Sequence, residues 1–245
     1  MNRDLQTLRQ WIQESSSIVF FGGAGVSTES GIKDFRSADG LYSQTFDYPP
    51  EQIISHRFFF HNTDYFYRFY REKMLPTGFV PNVTHRVLAK WERWGKLSAV
   101  ITQNIDGLHQ KAGSINVFEL HGSVQRNFCQ ACGKFYGAEY IRDSVGVPAC
   151  ACGGVIKPDV VLYEEPLDAD VLDESIRRIR KADMMIVAGT SLTVHPAAGL
   201  VNYYCGNRLV LINRDTTPYD NRADLVIHCS LGEIFTELEK IPMPE

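Results

Sequence analysis

The stretch SIVFFGGAGVSTESG, residues 17–31, indicates the class of fold. It opens with a short apolar run of β-favouring side chains and passes at once into a turn that contains Gly22, Gly23 and Gly25. A buried strand that enters a glycine-rich turn and then a helix is typical of a nucleotide-binding α/β unit. We expect that helix to begin at Ser27 and Thr28, with a pyrophosphate held at its positive N-terminus.

The same alternation of strand and helix continues along the chain. Apolar runs predict strands at 98–103, 184–191, 208–213 and 225–229, and apolar residues at helical spacing predict helices at 3–14, 84–96, 168–182 and about 231–241. Short buried strands that alternate with amphipathic helices form a parallel sheet with both faces covered. The predicted fold class is therefore α/β, with a Rossmann-like parallel sheet.

Two stretches interrupt this alternation. Residues 32–80 are rich in aromatic side chains and have a helical pattern at 57–74. Residues 122–158 hold several glycines and four clustered cysteines. We interpret both stretches as insertions that together form a smaller module beside the sheet.

Composition and charge limit the classes of function. The chain has 245 residues, of which 44% are hydrophobic, and a net charge of −4. This balance is ordinary for a folded soluble protein and argues against a strongly cationic surface for nucleic acid. The polar start MNRDLQTLRQWIQ lacks the apolar run of a signal peptide, and no apolar stretch long enough for a membrane span follows. We therefore expect a cytoplasmic protein with no membrane partner.

Four cysteines have the spacing of a metal site. Cys129-x2-Cys132 and Cys150-x-Cys152 are separated by 17 residues, which matches a zinc ribbon. Because all four ligands are thiolates and no position is left for water, the expected ion is one structural Zn²⁺. The alternative is a set of reduced thiols without a metal.

Polar groups stand at the ends of two predicted strands, where α/β sheets place ligands. Gln103, Asn104, Asp106 and His109 follow the strand at 98–103 and outnumber what capping requires. The other strand runs into GTSLTVHPAAG (189–199), which contains a candidate phosphate-binding turn. That turn consists of Gly189, Thr190 and Ser191.

The segment after this turn is a candidate for backbone pairing with a bound peptide. Thr193 to Pro196 is predicted to be extended, because the residue before a proline avoids the helical region. An exposed extended segment can pair with the backbone of a bound peptide.

Two further residues leave alternatives open. His121, in ELHGSV (119–124), has the side chain most used as a general base near neutral pH, although a single histidine is more often structural. The acidic ribose ligand of an ordinary dehydrogenase fingerprint is missing. Asn213, which ends the strand at 208–213, either takes over the ribose contact or caps the strand.

A set of motifs in a fixed order carries a family resemblance. They are GAGVSTESGIKDFR (23–36), TQNIDGLH (102–109), the LHG around His121, the cysteine quartet, KPDVV (157–161), GTSLTVHPAA (189–198) and the LVLIN strand end. In this order they resemble the sirtuins of bacterial type, which are NAD-dependent protein lysine deacylases of the silent-information-regulator family. Each motif is moderately specific, and the full set, from about residue 15 to 235, is highly specific.

The resemblance implies a division into domains, with NAD⁺ in a cleft between them. A Rossmann-like NAD-binding domain would comprise 1–32, 76–122 and 159–245. The smaller inserted domain would comprise a helical module with the cofactor loop, 33–75, and a zinc-ribbon module, 123–158.

The resemblance also assigns residues to that cleft. Asp106 would accept a hydrogen bond from the nicotinamide carboxamide, and Phe35 with Arg36 would cover the nicotinamide ribose. The residues implied for cofactor binding are Gly23, Ala24, Thr28, Phe35, Arg36, Gln103, Asn104, Ile105, Asp106, Gly189, Thr190, Ser191 and Asn213. An acylated peptide would add a strand between two stretches, whose implied residues are Val161, Leu162, Tyr163, Val194 and His195.

The implied activity is NAD-dependent deacetylation of protein lysines. Cleavage of NAD⁺ expels nicotinamide, the acyl oxygen attacks the ribose, and a base then activates a ribose hydroxyl. His121 is implied as that base and Asn104 as a second catalytic residue, and the products are nicotinamide, free lysine and O-acyl-ADP-ribose. Alternatives at the same NAD site are desuccinylation and protein ADP-ribosyl transfer. The alternative from another class, a zinc-ribbon module that binds nucleic acid or protein, conflicts with the acidic balance and with the absence of a basic stripe beside the cysteines. The expected partners are therefore NAD and acylated lysine peptides, and the chain is expected to be a monomer.

Departures from the family pattern bear on the substrate. Lys33 stands where proline is usual and Glu164 where glycine is usual. Glu164 either favours basic residues beside the acyl-lysine or faces solvent. The Tyr-x-x-Arg pair of the desuccinylases reads Tyr67-x-x-Tyr70, so Tyr67 and Tyr70 are acyl-pocket candidates and neutral acyl groups, acetyl first, are favoured.

Five residues outside these assignments complete the expectations. Tyr65 and Arg68 have the desuccinylase spacing in a shifted register, and Arg71 is close to them in sequence. Cys205 and Cys229 have no assigned role and are expected to be small buried residues.

Overall fold

A computed structural model describes residues 2–34, 40–75 and 77–242 of the chain. Its larger sheet has six parallel strands in the order β3-β2-β1-β7-β8-β9, and its smaller sheet is antiparallel in the order β5-β4-β6. The strands are β1 (Ile18–Gly22), β2 (Leu97–Thr102), β3 (Val117–Glu119), β4 (Gly122–Cys129), β5 (Phe135–Gly137), β6 (Ile156–Val160), β7 (Met184–Ala188), β8 (Leu209–Ile212) and β9 (Leu225–Ile227).

Helices cover the larger sheet and build part of the smaller module. They are α1 (Asn2–Glu14), α2 (Pro50–Ile53), α3 (His56–His61), α4 (Thr63–Phe69), α5 (Val83–Arg93), α6 (Leu108–Lys111), α7 (Ala138–Asp143), α8 (Ala169–Lys181) and α9 (Leu231–Glu239). A π-helical turn, Tyr70–Met74, continues α4, and a 3₁₀ helix spans Ala197–Tyr203. Within the described ranges, no helix has both the length and the hydropathy that a membrane span requires.

The core is divided by the sheet into two layers. Along β1, Ile18 and Phe20 pack into the cluster formed with α1, α5 and α9, while Val19 and Phe21 pack into the cluster on the side of α8. All residues of β1 are buried, as a strand covered on both faces requires. The α/β fold class and the Rossmann-like sheet are therefore confirmed.

The strand order places a crevice beside β1. From β1 the chain crosses to β2 on one side, and it later returns to β7 on the other side. Ligands of open α/β sheets bind at such a reversal, outside the carboxyl ends of the strands. The glycine turn after β1 and the polar residues after β2 and β7 therefore meet at one edge of the sheet.

Two local predictions are wrong. The turn after β1 leads into two short 3₁₀ helices, Ala24–Val26 and Thr28–Ser30, and not into the predicted α-helix. Gly31, at φ +93°, ends the second of them after one turn. The larger sheet also has a sixth strand, β3, which pairs with β2 and which the sequence did not predict. It has only three residues, too few to show a pattern of apolar side chains.

The smaller module combines the antiparallel sheet with α2, α3, α4 and α7. Its core joins aromatic side chains from α3 and α4 to apolar residues of β4 and β6. Gly122 is required where β4 begins, because its φ is +71° and a Cβ there would lie 1.8 Å from the carbonyl oxygen of Asp159. The proposed domain boundaries at 122/123 and 158/159 fall in β4 and β6, the strands that enter and leave this module, and they remain a prediction.

A pair of buried histidines predicts how stability depends on pH. The rings of His85 and His109 lie 4.7 Å apart between centroids, and neither ring nitrogen of His109 has a hydrogen-bond partner among the described residues. Burial lowers the pKa of His85 to about 4 and the pKa of His109 well below its ordinary value. Both rings are therefore neutral in the folded protein and bind protons only after unfolding, so stability is lost as pH falls below about 6.5.

We expect the free energy of unfolding to fall by about 2 kcal/mol for each of these histidines between pH 7 and pH 5. Urea unfolding at both pH values measures the change. His109→Phe should remove about half of the loss that the pair causes. Equal losses in the variant and the parent chain would show that this histidine does not contribute.

Candidate active site

The crevice beside β1 is a cleft of about 1040 Å³ between the larger sheet and the smaller module. One wall consists of the turns after β1, β2, β7 and β8. The opposite wall includes residues 32–34 and residues 160–165, which begin at the last residue of β6. Its volume reaches the upper end of the range for small-molecule and cofactor sites.

The two glycine turns at the cleft pack backbone against backbone. The Gly25 N–H donates to the Gly189 carbonyl at 2.8 Å, and a Cβ on Gly25 would lie 2.8 Å from the Gly189 Cα. Gly189 itself has φ +60°. No side chain fits between these two turns, and their neighbours Ala24 and Thr190 line the cleft. A phosphate can therefore approach the backbone there closely.

Three buried polar side chains form a network below these turns. Ser27 Oγ donates to Asp106 Oδ2 at 2.7 Å, and Asn104 Nδ2 donates to Ser27 Oγ at 3.1 Å. The Leu108 N–H donates to the second oxygen, Asp106 Oδ1, at 2.8 Å. Burial raises the pKa of Asp106, and the hydrogen bonds from Leu108 and Ser27 oppose that rise. The carboxylate is thus oriented and retains lone pairs for a ligand.

Ser27 is a site residue that the sequence reasoning missed. The sequence pattern predicts Ser27 only as the start of a helix, whereas in the structure its hydroxyl links Asn104 to Asp106. A polar residue two positions after Gly25 of the glycine turn is a weak signal, because Ser also serves as a simple cap.

His121 lies in the cleft with a defined proton position. Its Nδ1 is 3.0 Å from the carbonyl oxygen of Gln103. A carbonyl only accepts, so Nδ1 carries the proton and Nε2 keeps its lone pair. Burial lowers the pKa of His121, and the hydrogen bond to Gln103 opposes this. The ring is therefore neutral near pH 7, as a general base must be.

The predicted phosphate and ribose residues line the same cleft. Thr190 Oγ1 accepts from Gln103 Nε2 at 2.9 Å, and the Ser191 hydroxyl lies 2.8 Å from that of Thr193. Asn213 Nδ2 donates to the Asp215 carbonyl at 2.9 Å, and Asn213 lines the cleft, so its contact with a ribose stays a prediction. Predicted cofactor residues found along the cleft are Gly23, Ala24, Thr28, Gln103, Asn104, Ile105, Asp106, Gly189, Thr190, Ser191 and Asn213.

Two predicted cofactor residues, Phe35 and Arg36, lie outside the described residues. His109 follows Asp106 in sequence but does not line the cleft, since it is enclosed beside His85 in the core.

All five residues predicted to contact a peptide line the cleft, namely Val161, Leu162, Tyr163, Val194 and His195. The expectation of an extended Thr193–Pro196 segment is wrong. These residues form bends and a turn that lead into the 3₁₀ helix at Ala197–Tyr203. A peptide would therefore meet a curved edge here and not a regular strand.

Backbone donors of the first stretch are already in use. The Val161 N–H donates to the His121 carbonyl at 3.0 Å, and the Tyr163 N–H donates to the Ile54 carbonyl at 3.0 Å. The Leu162 N–H donates to Glu165 Oε2 at 2.9 Å. This stretch can therefore offer a peptide its side chains and carbonyl oxygens more readily than its N–H groups.

Glu164 is exposed, which agrees with the solvent-facing alternative, and it also lines the cleft. Its φ is +77°, in the left-handed region that favours the glycine usual at this position. Its Oε2 accepts from the Arg57 N–H at 3.0 Å, in the first turn of α3. The carboxylate therefore caps a helix start, where a negative charge is favourable, and this contact offsets part of the backbone cost.

The structure does not bring Tyr67 and Tyr70 into the cleft. Both are fully buried in the aromatic core of the smaller module, and the Tyr67 hydroxyl donates to the Ile156 carbonyl. Burial, the larger effect, raises the pKa of Tyr67 above its ordinary value. These aromatic rings pack among other large apolar side chains of the module, such as Phe59, Phe66 and Ile156, and we do not propose them as acyl contacts.

The basic residues near them are also engaged elsewhere. Arg71 donates to the carbonyl oxygens of Ile141 and Gly146, which fastens α4 to the cysteine-bearing module. Arg68 is largely exposed and pairs with Asp64 at 3.3 Å. Neither Arg68 nor Arg71 lines the cleft.

The four clustered cysteines form a metal site. The ligand atoms of Cys129, Cys132, Cys150 and Cys152 all lie within 4.8 Å of one another. Sulfur–sulfur distances of 3.5 Å for Cys129–Cys152 and 3.6 Å for Cys132–Cys150 suit a tetrahedral Zn²⁺. The Tyr136 hydroxyl, at 3.0 Å, donates to Cys150 Sγ and supports the site from outside. Four thiolates leave no open position, so the zinc is structural.

The other two cysteines are not the buried residues that were expected. Cys205 is exposed, and Cys229 is half-buried at the edge of the cleft. Burial raises the pKa of the Cys229 thiol to about 11, with Glu233 and Glu29 adding to the effect. The thiol of Cys229 is therefore protonated and weakly nucleophilic at neutral pH.

The parallel sheet, its crevice between two glycine turns and the adjoining thiolate site define a dinucleotide-binding α/β protein with a zinc ribbon. The Sir2 family model matches residues 23–196. Relatives named NAD-dependent protein deacetylase include one from Clostridium acetobutylicum, 56% identical over 94% of this chain and 96% of its own. One from Cutibacterium acnes is 52% identical over 98% of this chain and 99% of its own. The chain belongs to the Sir2 family.

Solved structures agree with this assignment. A Sir2 complex with a deacetylated p53 peptide and 3'-O-acetyl ADP ribose superimposes with a TM-score of 0.89 at 38% identity, covering 96% of this chain and 97% of that one. A Sir2 complex with a p53 peptide and NAD⁺ gives a TM-score of 0.86 at 39% identity, with the same coverage.

Proposed function

We propose that this cleft catalyses the NAD-dependent deacetylation of protein lysines, the activity for which the curated relatives are named. The observation that carries the proposal is the state of His121. Its ring is neutral, its proton is directed at Gln103, and its free Nε2 faces a cleft lined by two glycine turns.

NAD would lie along the edge of the sheet. The glycine turns and Ser191 would hold the ADP-ribose phosphates, and Asn213 would contact the ribose of the adenosine half. Ile105 and Asn104 would line the nicotinamide pocket, and the oriented carboxylate of Asp106 would accept from the carboxamide. The assignment of Phe35 and Arg36 to the nicotinamide ribose remains a prediction from the sequence.

The chain's own residues would then act in sequence. Bound NAD supplies an electrophilic ribose carbon and nicotinamide as the leaving group. Val161, Leu162 and Val194 would hold the acyl-lysine so that its acyl oxygen is close to that carbon, which converts a bimolecular step into a local one. His121 Nε2 would take a proton from a ribose hydroxyl, and Nδ1–H···O=C to Gln103 would stabilise the imidazolium that forms.

Product analysis tests the reaction itself. Purified protein is incubated with NAD⁺ and an acetyl-lysine peptide, and the products are identified by mass spectrometry. We expect nicotinamide, deacetylated peptide and O-acetyl-ADP-ribose in equal amounts, with nicotinamide release dependent on the acylated peptide. Release without peptide would favour NAD⁺ hydrolysis, and a peptide that gains ADP-ribose would favour the transferase alternative.

A neutral acyl group is the proposed substrate. Neither Arg68 nor Arg71 lines the cleft, and the cleft wall near His121 is apolar at Ile105 and Leu162. A succinyl carboxylate would lose water there without gaining an ionic partner from α4, which is costly. We expect kcat/KM for an acetyl peptide to exceed that for the matched succinyl peptide by at least about tenfold. Higher turnover of the succinyl peptide would contradict the proposed preference.

The assembly and location expected from the sequence remain proposals. The net charge of −4 supports the absence of a nucleic-acid partner, since phosphate binding relies on clustered lysine and arginine. Light scattering of the purified chain would test the monomer, and localisation in the producing cell would test the cytoplasmic assignment.

A further inference from the structure

Glu165 closes the turn that carries the proposed peptide stretch. Its backbone N–H donates to the Leu162 carbonyl at 3.0 Å, and its carboxylate accepts from the Leu162 N–H at 2.9 Å. Both polar backbone groups of Leu162 are therefore bonded to one residue. The conformation of the cleft wall at Leu162 depends on that residue more than on pairing with a neighbouring strand.

The same carboxylate reaches two other elements. Lys157 Nζ, on β6, donates to Glu165 Oε2 at 3.0 Å, and His56 Nδ1, at the start of α3, donates to Oε1 at 2.8 Å. Burial by itself raises the pKa of Glu165, but hydrogen bonds from Leu162 and His56 and the charge of Lys157 lower it overall. Glu165 is thus ionised in the pH range of an ordinary assay.

Lys157 completes the arrangement from the side of the sheet. Its Nζ also donates to the Val160 carbonyl at 3.0 Å. The side chains of Lys157 and Glu165 are only 12% and 16% exposed, so their ion pair is weakly screened. Three elements that meet at the cleft wall, namely β6, the 161–163 stretch and α3, are therefore held by one buried carboxylate and its lysine.

We propose that Glu165 and Lys157 are positioning residues for the acylated peptide. They act through Leu162 and Val160, which line the cleft, and neither needs to contact the reacting atoms. The glycine turns and Asn213 on the opposite wall make no hydrogen bond to this pair in the described residues. Loss of the pair should therefore weaken peptide binding and leave the NAD side of the cleft largely intact. This inference rests on the proposed function, because it uses the peptide stretch assigned there.

Steady-state kinetics with an acetyl-lysine peptide and NAD⁺ tests the inference. Glu165→Ala should raise the KM for peptide by about tenfold, and Glu165→Gln, which keeps an acceptor for the Leu162 N–H, by about threefold. The KM for NAD⁺ should change by less than about twofold in both. The double variant Lys157→Met/Glu165→Gln should be no worse than the more affected single variant, because the two residues act as one unit.

Two further variants keep the test decisive if Glu165→Ala fails to fold. His56→Phe retains a ring against Phe60, 4.7 Å away between centroids, and removes only one donor to Glu165, so a rise of about twofold in peptide KM is expected. Glu174→Gln on α8 is the matched control, since Glu174 also forms ion pairs but lies outside the cleft, and it should change neither KM.

The outcomes separate this inference from the proposed function. Equal rises in both KM values, or an unchanged peptide KM in folded Glu165→Gln, would overturn the positioning role while peptide-dependent turnover of the parent chain persists. If the parent chain itself releases no nicotinamide with acetyl peptide, the proposed function fails, and the positioning role fails with it.

Discussion

Replacement of His121 by Ala should lower kcat by a factor of about 10² to 10⁴ and leave the fold and the zinc content unchanged. His121 Nε2 is the free imidazole nitrogen that faces the cleft, and its Nδ1 proton is held by Gln103. Loss of the ring removes the acceptor for the ribose proton, while the glycine turns that hold NAD remain. Peptide-dependent O-acetyl-ADP-ribose formation, followed by mass spectrometry, measures the effect.

Two variants make this result specific. His121→Gln keeps a donor near the Gln103 carbonyl but has no basic nitrogen, so it should be nearly as inactive as His121→Ala. His61→Ala removes an exposed histidine whose Nδ1 also bonds to a backbone carbonyl, that of Arg57, outside the cleft. It should keep full activity. Turnover of His121→Ala close to that of the parent chain would rule out His121 as the base.

The pH profile follows from the same ring. Burial lowers the pKa of His121 below the ordinary histidine value of 6.5, so the basic form is present throughout the neutral range. We expect kcat/KM to be flat above about pH 6.5 and to fall below it, with an apparent pKa lower than that of free histidine. If kcat/KM instead begins to fall at a higher pH, a group other than His121 is the essential base.

The sequence predicted the parts of this protein that depend on local pattern. Buried apolar runs located five of the six strands of the larger sheet, and the spacing of Cys129, Cys132, Cys150 and Cys152 located the thiolate site. Both signals are contained in short windows, since strand burial and metal-ligand spacing each need only neighbouring residues.

The features that the sequence did not predict depend on contacts between segments that are distant along the chain. Ser27 became a site residue only because the fold brings it to Asp106, 79 positions away. Glu164 caps α3 through Arg57, 107 positions before it, and no short window of sequence shows this contact. The strand and glycine turn predict a helix from Ser27, because this order is typical of nucleotide-binding units, whereas the structure has two single 3₁₀ turns and Gly25 packs against Gly189.

The fully buried tyrosines show a similar limit. A Tyr-x-x-Tyr spacing is compatible with a ligand pocket and with a helix that faces a core. Only the position of α4 against β6 distinguishes the two, and it places Tyr67 and Tyr70 among Phe59, Phe66 and Ile156. The same packing means that the thiolate site, whose Cys129 and Cys150 belong to this core, supports the wall of the cleft.

Replacement of Cys129 by Ser should abolish zinc binding and lower the melting temperature by about 10 °C or more, because a structural zinc site contributes several kcal/mol to folding. Cys129 ends β4, beside β6, and its side chain is buried in the core of the smaller module. Without the metal, no ion joins Cys129, at the end of β4, to the other three cysteines, which lie between β4 and β6 in sequence. The loss should extend along β6 to Val160 and beyond its end to Leu162, and both residues line the cleft.

Peptide binding should therefore fall further than cofactor binding in Cys129→Ser, because the larger sheet has its own core and does not contain a zinc ligand. Metal analysis of the purified variant, thermal unfolding, and calorimetric titration with ADP-ribose and with acetyl peptide measure the three effects. Cys205→Ser is the matched control, since Cys205 is an exposed thiol outside the quartet and should change none of them. A Cys129→Ser protein with full zinc content and an unchanged melting temperature would show that the quartet does not hold the structural ion.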